Sequence, residues 1–378
     1  MLKVFVPKER AEGETRVAAT PETVKRLVKE GLSLFVETGA GAAANLLDAA
    51  YTEAGATIVP ESGLKEAYGT ADVVLKVASP SPEEAGLIKE GALLVGFASA
   101  YKNKDAIRIL RDRKVNFAAM ELIPRISRAQ SMDALSSQAS IGGYKAVLLA
   151  ASHLDKYFPL LMTAAGTIQP ARVVVMGAGV AGLQAIATAR RLGAIVEVSD
   201  VRPAVKEQVE SLGGRFIEVD LGESGEGQGG YAKELTKEQL AKQQAVVRER
   251  VVAADVVITT ALVPGRPAPR LITADMVQEM RAGAVIVDMA VEQGGNCELS
   301  EMNKTVVKEG VTIIGHPNLP ATLPLDASLM YARNVQTLLL HFLKDGAINY
   351  DFGDEITAGA VLTYQGEIRH APTAELVG

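Results

Sequence analysis

Hydrophobic and polar positions alternate along the 378-residue chain in blocks that predict an α/β protein. Short runs rich in Val, Ile and Leu end at Gly, Pro or Asp, as the buried strands of a parallel sheet do. Segments with helical spacing separate several of these runs, and Thr20–Gly31 is one of them. Thr20 is placed to cap this helix, Pro21 suits its first position, and Gly31 ends it.

The strand-like runs form two series. The first comprises KVFVP, LFVETG, TIVP, VVLKVA, LLVGFA and VNFAAM; the second comprises RVVVMG, IVEVSD, RFIEVD, VVITTA, AVIVDMA and VTIIGH. Two series predict two doubly wound parallel-sheet, Rossmann-like domains with a cleft between them. We expect residues 136–324 to form the second domain. The first is expected to comprise residues 1–135 and 325–378, with the helical stretch Ala327–Lys344 and the strand-like tail returning to it.

Composition narrows the class of protein. A hydrophobic content of 48% and a charged content of 22% are typical of a folded soluble protein, and the net charge of −6 argues against nucleic-acid binding. The single cysteine, Cys297, excludes an internal disulfide framework and fits a reducing compartment. The apolar helix pattern over Ala146–Met162 contains His153, Asp155 and Lys156, so we expect no transmembrane segment. No metal site and no signal peptide are predicted.

The sharpest motif is a glycine loop between a strand and a helix. Gly177, Gly179 and Gly182 form G-x-G-x-x-G. The first glycine permits a tight turn, the second lets a pyrophosphate approach the backbone, and the third allows close packing of helix against strand. Asp200 ends the next strand, where its carboxylate can accept hydrogen bonds from ribose hydroxyls and repel a 2′-phosphate. The motif favours NAD(H) over NADP(H), although Arg202 could receive a phosphate; glycines that serve packing alone are the alternative.

Two other segments are unusually polar. Pro124–Lys145 holds two arginines, two glutamines, an aspartate and several serines between a buried strand and an apolar helix. An Arg–Asp pair that caps the helix starting near Ala134 would explain part of this polarity, but it would not explain Gln130. Leu221–Gln244 is rich in Gly, Ser and Glu before Tyr231. This second segment is either a solvated linker or a lid whose tyrosine covers a cofactor.

Taken together, these segments resemble the NAD(H)-binding component of proton-translocating nicotinamide nucleotide transhydrogenase and, more distantly, alanine dehydrogenase. The resemblance covers essentially the whole chain, and MELIPRISRAQSMDALSSQASIGGYKAV is its most specific part. Its other parts are VPKERAEGETRVAATPETV, TAAGTIQPARVVVMGAGVAGLQAIATARRLGA, DVRPAVKEQVESLGG, GGYAKE, ITTALVPGRPAP and VDMAVEQGGNCELS.

The resemblance implies specific site residues. It places Arg125, Gln130 and Asp133 in a loop beside the nicotinamide ring and Ser136 close to it, and these four are the implied catalytic residues. It also implies that the run ending at Tyr231 is a mobile loop closing over NAD(H). The cofactor-binding residues expected from motif and resemblance are Arg125, Ile126, Ser127, Arg128, Gln130, Gly177, Gly179, Val180, Ala181, Gly182, Asp200, Val201, Arg202, Gly230, Tyr231 and Leu262.

The implied reaction is hydride transfer from NADH to NADP⁺, with the NADP(H) bound by a partner subunit. Such a transfer needs close positioning of two rings, at about 3–3.5 Å, rather than an acid or a base. This requirement would account for the directed polar groups of Pro124–Lys145. The resemblance further implies a membrane-embedded proton-channel subunit as partner, a peripheral location on the cytoplasmic side of the inner (plasma) membrane, and a homodimer.

Alanine dehydrogenase is the competing enzyme class. Arg16 and Lys76 match the groups that hold carboxylate and carbonyl in that family, whose reaction also needs an acid–base residue. Ser99 stands where that family has its catalytic histidine, and Glu292 stands where an aspartate precedes QGG. His316, at a strand end, is more typical of a structural histidine than of a base. A non-catalytic NAD-binding module is the alternative from another class.

Overall fold

The computed structural model describes residues 1–218, 237–263 and 266–378. They divide into two compact units. The first unit combines Met1–Gln138 with Ala321–Gly378, and the second unit spans Ala139–Pro320. Within the described residues, no helix has both the length and the apolar character needed to cross a bilayer. The same residues contain no group of three or more side chains that could hold a metal ion.

Both units alternate strands with helices along the chain. The strands are β1 (Lys3–Val6), β2 (Ser33–Glu37), β3 (Thr57–Val59), β4 (Val73–Leu75), β5 (Leu93–Gly96), β6 (Asn116–Ala119), β7 (Leu161–Thr163), β8 (Gly166–Ile168), β9 (Arg172–Met176), β10 (Ile195–Ser199), β11 (Arg215–Phe216), β12 (Val256–Thr259), β13 (Val285–Asp288), β14 (Lys304–Lys308), β15 (Val311–Gly315), β16 (Leu343–Lys344), β17 (Ala347–Ile348), β18 (Val361–Tyr364) and β19 (Glu367–Ile368). The helices are α1 (Pro21–Lys29), α2 (Asp48–Glu53), α3 (Leu64–Thr70), α4 (Pro82–Leu87), α5 (Lys104–Asp112), α6 (Ala134–His153), α7 (Val180–Arg191), α8 (Lys206–Ser211), α9 (Lys237–Val252), α10 (Ala274–Glu279), α11 (Pro324–Phe342), α12 (Glu355–Ala360) and α13 (Ala371–Val377).

The first unit is built on one sheet with the strand order β19-β18-β6-β5-β4-β1-β2-β3. The six strands from β6 to β3 in this order are parallel to one another. β18 pairs antiparallel with β6, and β19 pairs antiparallel with β18. The C-terminal segment therefore completes the sheet that the N-terminal segment begins.

Helix starts in the first unit follow local capping chemistry. The Thr20 hydroxyl accepts from the Thr23 N–H, and the Thr23 hydroxyl accepts from the Thr20 N–H, so each residue caps the other. Pro21 occupies the first turn of α1, as the sequence predicted. Gly31 follows the helix with a φ of +84°, a conformation that favours glycine. The predicted bounds of α1 are thus confirmed.

The second unit contains a sheet with the order β11-β10-β9-β12-β13-β15-β14, parallel except for β14. From the central pair β9 and β12, the chain builds outward in opposite directions. Parallel strands buried on both faces explain the continuous Val and Ile runs. Val173 and Val175 join one apolar cluster and Val174 and Met176 join another, so both faces of this sheet are covered.

The first sheet is covered on both faces in the same way. Val4 and Val6 belong to one apolar cluster, whereas Phe5 between them belongs to another. Adjacent residues of a strand point to opposite faces, so one cluster lies on each side. Two mostly parallel sheets, each covered on both faces, confirm the predicted α/β class.

The long helix α6 differs from its prediction. The apolar pattern over Ala146–Met162 suggested helix throughout, yet α6 ends at His153 and Leu161–Thr163 is strand β7. Pro159 explains why the helix does not continue to Met162, because proline lacks an N–H and its ring clashes with the carbonyl four residues earlier in a helix. β7 and β8 then form a two-stranded antiparallel sheet of their own.

Candidate functional site

The G-x-G-x-x-G segment forms the turn between β9 and α7. Gly177 has a φ of +104°, and a Cβ there would lie 2.5 Å from Thr260 Oγ1. A Cβ on Gly182 would lie 1.8 Å from the Gly177 carbonyl oxygen, so helix and loop touch through bare backbone. Among the described residues, no atom other than those of its chain neighbours lies within 4 Å of the Cβ position of Gly179. The turn and packing roles fit Gly177 and Gly182, and Gly179 faces open space as a pyrophosphate cradle requires.

This turn lies where the strand order of the second sheet reverses, between β9 and β12. Ligands of open parallel sheets bind at the carboxyl ends of the strands at such a switch point. α7 starts there at Val180, and no described side chain caps its N-terminus, so its first N–H groups remain suited to an anion. Leu262 follows β12, and both Leu262 and Val180 are 42% exposed. The two apolar side chains are therefore available to contact a flat ligand at this edge.

Asp200 follows β10 and is tied to the glycine loop. Its Oδ2 accepts from the Ala178 N–H at 2.7 Å and from Nη2 of Arg202 at 2.9 Å. Its Oδ1 accepts from the backbone N–H of Arg202 at 2.8 Å and from its Nε at 3.0 Å. Val201 lies half-buried between the two charged residues. The carboxylate is thus next to the glycine loop, while the arginine binds the carboxylate itself.

Two residues that sequence reasoning missed shape the loop. The Thr260 hydroxyl donates to the carbonyl oxygens of Met176 and Gly177, at 3.3 and 3.1 Å. Gly143 in α6 packs so closely on the start of α7 that a Cβ would lie 2.0 Å from the Ala181 carbonyl oxygen. The signals available in the sequence were the Thr-Thr pair at the end of β12 and the Gly-Gly pair inside a helix pattern.

Asp288, at the end of β13, organises the neighbouring loops. Its fully buried carboxylate accepts from the backbone N–H groups of Ala290, Asn296 and Cys297 and from two hydroxyls. Asn296 in turn bonds both the N–H and the carbonyl of Ala261, at 3.1 and 2.9 Å. The segment leading to Leu262 is therefore held by buried polar groups. The sequence VDMAVEQGGNC was one of the segments that carried the family resemblance, but it did not indicate the hydrogen bonds made by Asp288 and Asn296.

The implied catalytic loop of the first unit follows β6. Residues 127–132 form a 3-10 helix in which Ala129 and Met132 are buried in the core. Gln130 is exposed between these two anchors, as are Arg125, Ser127 and Arg128, whereas Ile126 is half-buried. The loop is therefore fixed by its apolar residues and presents its polar ones.

Asp133 and Ser136 form the N-terminal cap of α6. Asp133 Oδ1 accepts from the Ser136 N–H at 2.9 Å, and its Oδ2 accepts from the Ser136 hydroxyl at 2.5 Å. An Arg–Asp pair capping this helix was the structural alternative, and the structure shows Asp133 as a cap through its bonds to Ser136. Asn334 on α11 adds a second brace, donating from Nδ2 to the Ser131 carbonyl at 2.8 Å and accepting from the Ser137 hydroxyl at 2.7 Å.

Arg128 is held by the C-terminal segment rather than by its own loop. Its Nη1 lies 2.9 Å from Asp354 Oδ2, while Asp354 Oδ1 accepts from the Ile356 N–H at the start of α12. Burial alone would raise the pKa of Asp354, but the Ile356 N–H and the Arg128 guanidinium outweigh it, so this pKa is lowered. Gly230 and Tyr231, predicted to contact the cofactor, lie outside the described residues.

The cations that match alanine dehydrogenase are engaged by carboxylates of this chain. Arg16 Nε and Nη2 bond Glu14 at 2.8 and 2.7 Å. Lys76 is 1% exposed and lies 3.0 Å from Glu84 and 3.3 Å from Glu9. Burial by itself would lower the pKa of Lys76, but the two glutamates outweigh it and raise this pKa. Both cations are therefore already paired with negative charge.

Ser99 and His316 offer little for proton transfer. The Ser99 N–H donates to Glu121 Oε1 at 2.7 Å, and its φ of +43° belongs to a tight turn. His316 Nε2 lies 3.0 Å from the Thr305 hydroxyl, across the β14–β15 pair. The structure thus places each of them in a local turn or strand pairing.

Comparison with known families covers nearly the whole chain. Sequence models of the alanine dehydrogenase/PNT N-terminal and C-terminal domains match residues 5–142 and 146–371. The chain belongs to the alanine dehydrogenase/PNT family. Within this family it is 51% identical over 378 residues to an NAD(P) transhydrogenase subunit alpha polypeptide of Rhodospirillum rubrum, with 98% of each chain covered.

Solved structures of both enzyme classes in the family resemble this chain, but to different degrees. A transhydrogenase from Sinorhizobium meliloti superposes with a TM-score of 0.88 at 45% identity, covering 97% of this chain and 99% of that one. An L-alanine dehydrogenase superposes with a TM-score of 0.83 at 28% identity, covering 99% of each chain. The predicted resemblance to the transhydrogenase component is confirmed, and alanine dehydrogenase is the more distant relative.

Proposed function

We propose that this chain is the NAD(H)-binding component of a proton-translocating NAD(P) transhydrogenase. The observation that carries the proposal is the Gly177–Gly182 turn, open over Gly179 and adjoining Asp200, at the switch point of a parallel sheet. A bound NADH would supply the hydride that NADP⁺ on a partner subunit accepts. The turn and the N-terminus of α7 would hold the pyrophosphate, and Asp200 would hold the adenine ribose.

The chain's own contribution to the reaction is positioning. We propose that Gln130 orients the nicotinamide carboxamide through its exposed amide, and that Arg125 assists on the ribose and pyrophosphate side. Ala129 and Met132 anchor the loop, and Asp133 with Ser136 fixes the start of α6 beside it. Rigid placement matters because a near-attack arrangement tolerates only small displacements.

The buried charges support the transhydrogenase over the dehydrogenase. At Arg16, the carboxylate of a keto acid would have to compete with Glu14, which already pairs with this arginine. At Lys76, it would have to compete with Glu9 and Glu84 of the same buried cluster. Reduction of an imine would also need a proton donor, and Ser99 supplies no group that titrates near neutral pH.

We propose two partners, a membrane-embedded proton-channel subunit and an NADP(H)-binding subunit, with this chain peripheral on the cytoplasmic side of the membrane. We also propose a homodimer. The β7–β8 hairpin supports the homodimer, because Met162 in β7 is 73% exposed and Leu160, just before β7, is 52% exposed. A two-stranded sheet of this size is marginal alone and gains stability from a covering surface. Met162→Asp should turn a dimer into a monomer in light scattering, and an unchanged mass would contradict this interface.

Isotope transfer tests the function directly. The chain is combined with the two partner subunits, given NADH carrying deuterium at the transferred position of C4, and supplied with an NADP⁺ analogue. Direct transfer predicts that the reduced analogue gains the deuterium, with no dilution by solvent hydrogen. The chain without partners should transfer none.

Two other outcomes would reject the proposal. NADH oxidation by pyruvate and ammonia with the chain alone would assign it to alanine dehydrogenase. Tight NADH binding with no label transfer in the complete complex would identify a binding module without chemistry.

A further inference from the structure

The carboxylate expected to bind the ribose is already saturated with hydrogen bonds. Asp200 accepts four: from the Ala178 N–H, from the backbone N–H of Arg202, and from two nitrogens of the Arg202 guanidinium, all within 3.0 Å. A carboxylate offers about four lone-pair sites. Ribose hydroxyls can therefore bind Asp200 only by sharing or replacing the guanidinium contacts, since the backbone contacts belong to the loop itself.

The geometry of the pair is that of a bidentate ion pair. Nε and Nη2 of Arg202 each contact a different oxygen of Asp200. The side chain of Asp200 is 5% exposed and that of Arg202 is 19% exposed. A guanidinium held in this way is the group that otherwise binds a phosphate through two parallel hydrogen bonds.

Resting on the proposed function, we infer that Arg202 is a specificity-determining residue, a potential 2′-phosphate receptor that Asp200 keeps occupied. Rejection of NADP(H) is then a property of the pair and not of the Asp200 charge alone. A 2′-phosphate would have to take the guanidinium from a carboxylate that the Ala178 N–H also fixes in place. The displaced Asp200 would be left facing the phosphate with like charge.

The alternative is simple repulsion, in which Asp200 acts alone and Arg202 has no role in nucleotide choice. The two mechanisms differ in what happens when both residues are changed. Under repulsion, Asp200→Ala and Asp200→Ala/Arg202→Ala gain NADPH affinity equally. Under our inference, the gain requires Arg202, because only a guanidinium no longer bound to position 200 can bind the phosphate.

The test measures dissociation constants of NADPH and NADH for the whole chain and its variants. Asp200→Ala should bind NADPH on the order of 10- to 100-fold more tightly than the unmodified chain, the effect of one charge-assisted pair. Asp200→Ala/Arg202→Ala should lose most of that gain. Arg191→Ala removes an exposed arginine from the end of α7 and serves as the charge control, with no gain or loss expected.

A second pair guards against damage to the loop, since Asp200→Ala leaves the Ala178 N–H without its acceptor. Asp200→Asn retains an oxygen for that N–H while removing the charge, and it should show the same dependence on Arg202. A gain that persists in both double variants would overturn the inference, as would no gain in Asp200→Asn with NADH still bound. If the unmodified chain binds neither nucleotide, the proposed function fails and this inference fails with it.

Discussion

Replacing Gly179 by alanine separates ligand binding from folding at the glycine loop. Gly179 has a φ of −76°, which alanine adopts without strain, and its Cβ position has open space around it within the described structure. The added methyl would occupy the space in which we place the pyrophosphate. The variant should therefore fold normally and bind NADH poorly.

The expected energies follow from the local geometry. Alanine is a poorer N-cap than glycine by up to about 1 kcal/mol, whereas the gain in chain stiffness returns about 0.4–1 kcal/mol. The free energy of unfolding should thus change by less than about 1 kcal/mol, which corresponds to a Tm shift of no more than about 2–4 °C. Loss of backbone contact with the pyrophosphate should weaken NADH binding by on the order of 100-fold or more.

Two further glycines provide the comparison. Gly182→Ala would place a Cβ 1.8 Å from the Gly177 carbonyl oxygen, and two backbone segments would have to separate. Its cost is about 1–3 kcal/mol or more, so Tm and NADH affinity should fall together. Gly86 lies exposed in α4 with open space around its Cβ position, so Gly86→Ala should change neither NADH affinity nor, except for a small rise, stability.

Calorimetry of NADH binding and thermal unfolding of the same samples would measure both effects. The reasoning is refuted if Gly179→Ala binds NADH as tightly as the unmodified chain, because the pyrophosphate then does not pass over this residue. It is also refuted if Gly182→Ala keeps its full stability.

Three other predictions concern the first unit. Gln130→Ala in the complete complex should slow hydride transfer by roughly 10²-fold with a much smaller loss of NADH affinity. Gln208→Ala, which changes an exposed glutamine on α8, is the control. An unchanged rate in Gln130→Ala would show that the loop only starts a helix. Lys76→Met should lower the free energy of unfolding by about 3–5 kcal/mol, because Glu9 then lacks its cation and Glu84 keeps only Arg10 at 4.0 Å. A denaturant titration that finds the variant as stable as the unmodified chain would argue against a buried ion cluster. The lowered pKa of Asp354 means that its pair with Arg128 stabilises the fold above the unfolded value of about 3.9 and that this contribution is lost as the pH falls through the folded value. Unfolding between pH 5 and 2 should therefore lose part of its pH dependence in Asp354→Asn, and an identical profile would show that the pair contributes nothing.

Strands and the glycine turn could be predicted from the sequence because their signals are local. The run before Gly177 and the run after Arg191 were both predicted as buried strands, and in the structure they form β9 and β10 respectively. The start of α1 is likewise a local signal, because Thr20 caps the helix through Thr23 and Pro21 is its first residue. The helix predicted over the apolar run after Lys145 was too long, because hydrophobicity alone does not show that Pro159 is incompatible with a helix continuing to Met162.

Contacts between distant residues could not be predicted. Asn334 braces the Ser131 carbonyl across 203 positions, and Arg128 meets Asp354 across 226. Even for the near pair Asp200 and Arg202, the sequence showed two residues that suit a nucleotide but not that they bind each other. Side-chain direction at the end of a strand decides such pairings, and the residue types alone do not fix it.

The first unit is assembled from both ends of the chain, and this has a consequence for how it forms during synthesis. Until residues 321–378 emerge, β6 is an open sheet edge, and the face that Tyr331, Leu338 and Phe342 cover is exposed to water. The second unit is continuous in sequence and can fold while the first still waits. At about 5–20 residues per second, the ribosome needs roughly 12–48 s to make the intervening and final segments, residues 139–378. For that time the newly made N-terminal segment is a substrate for chaperones, and translation pauses before α11 would lengthen it.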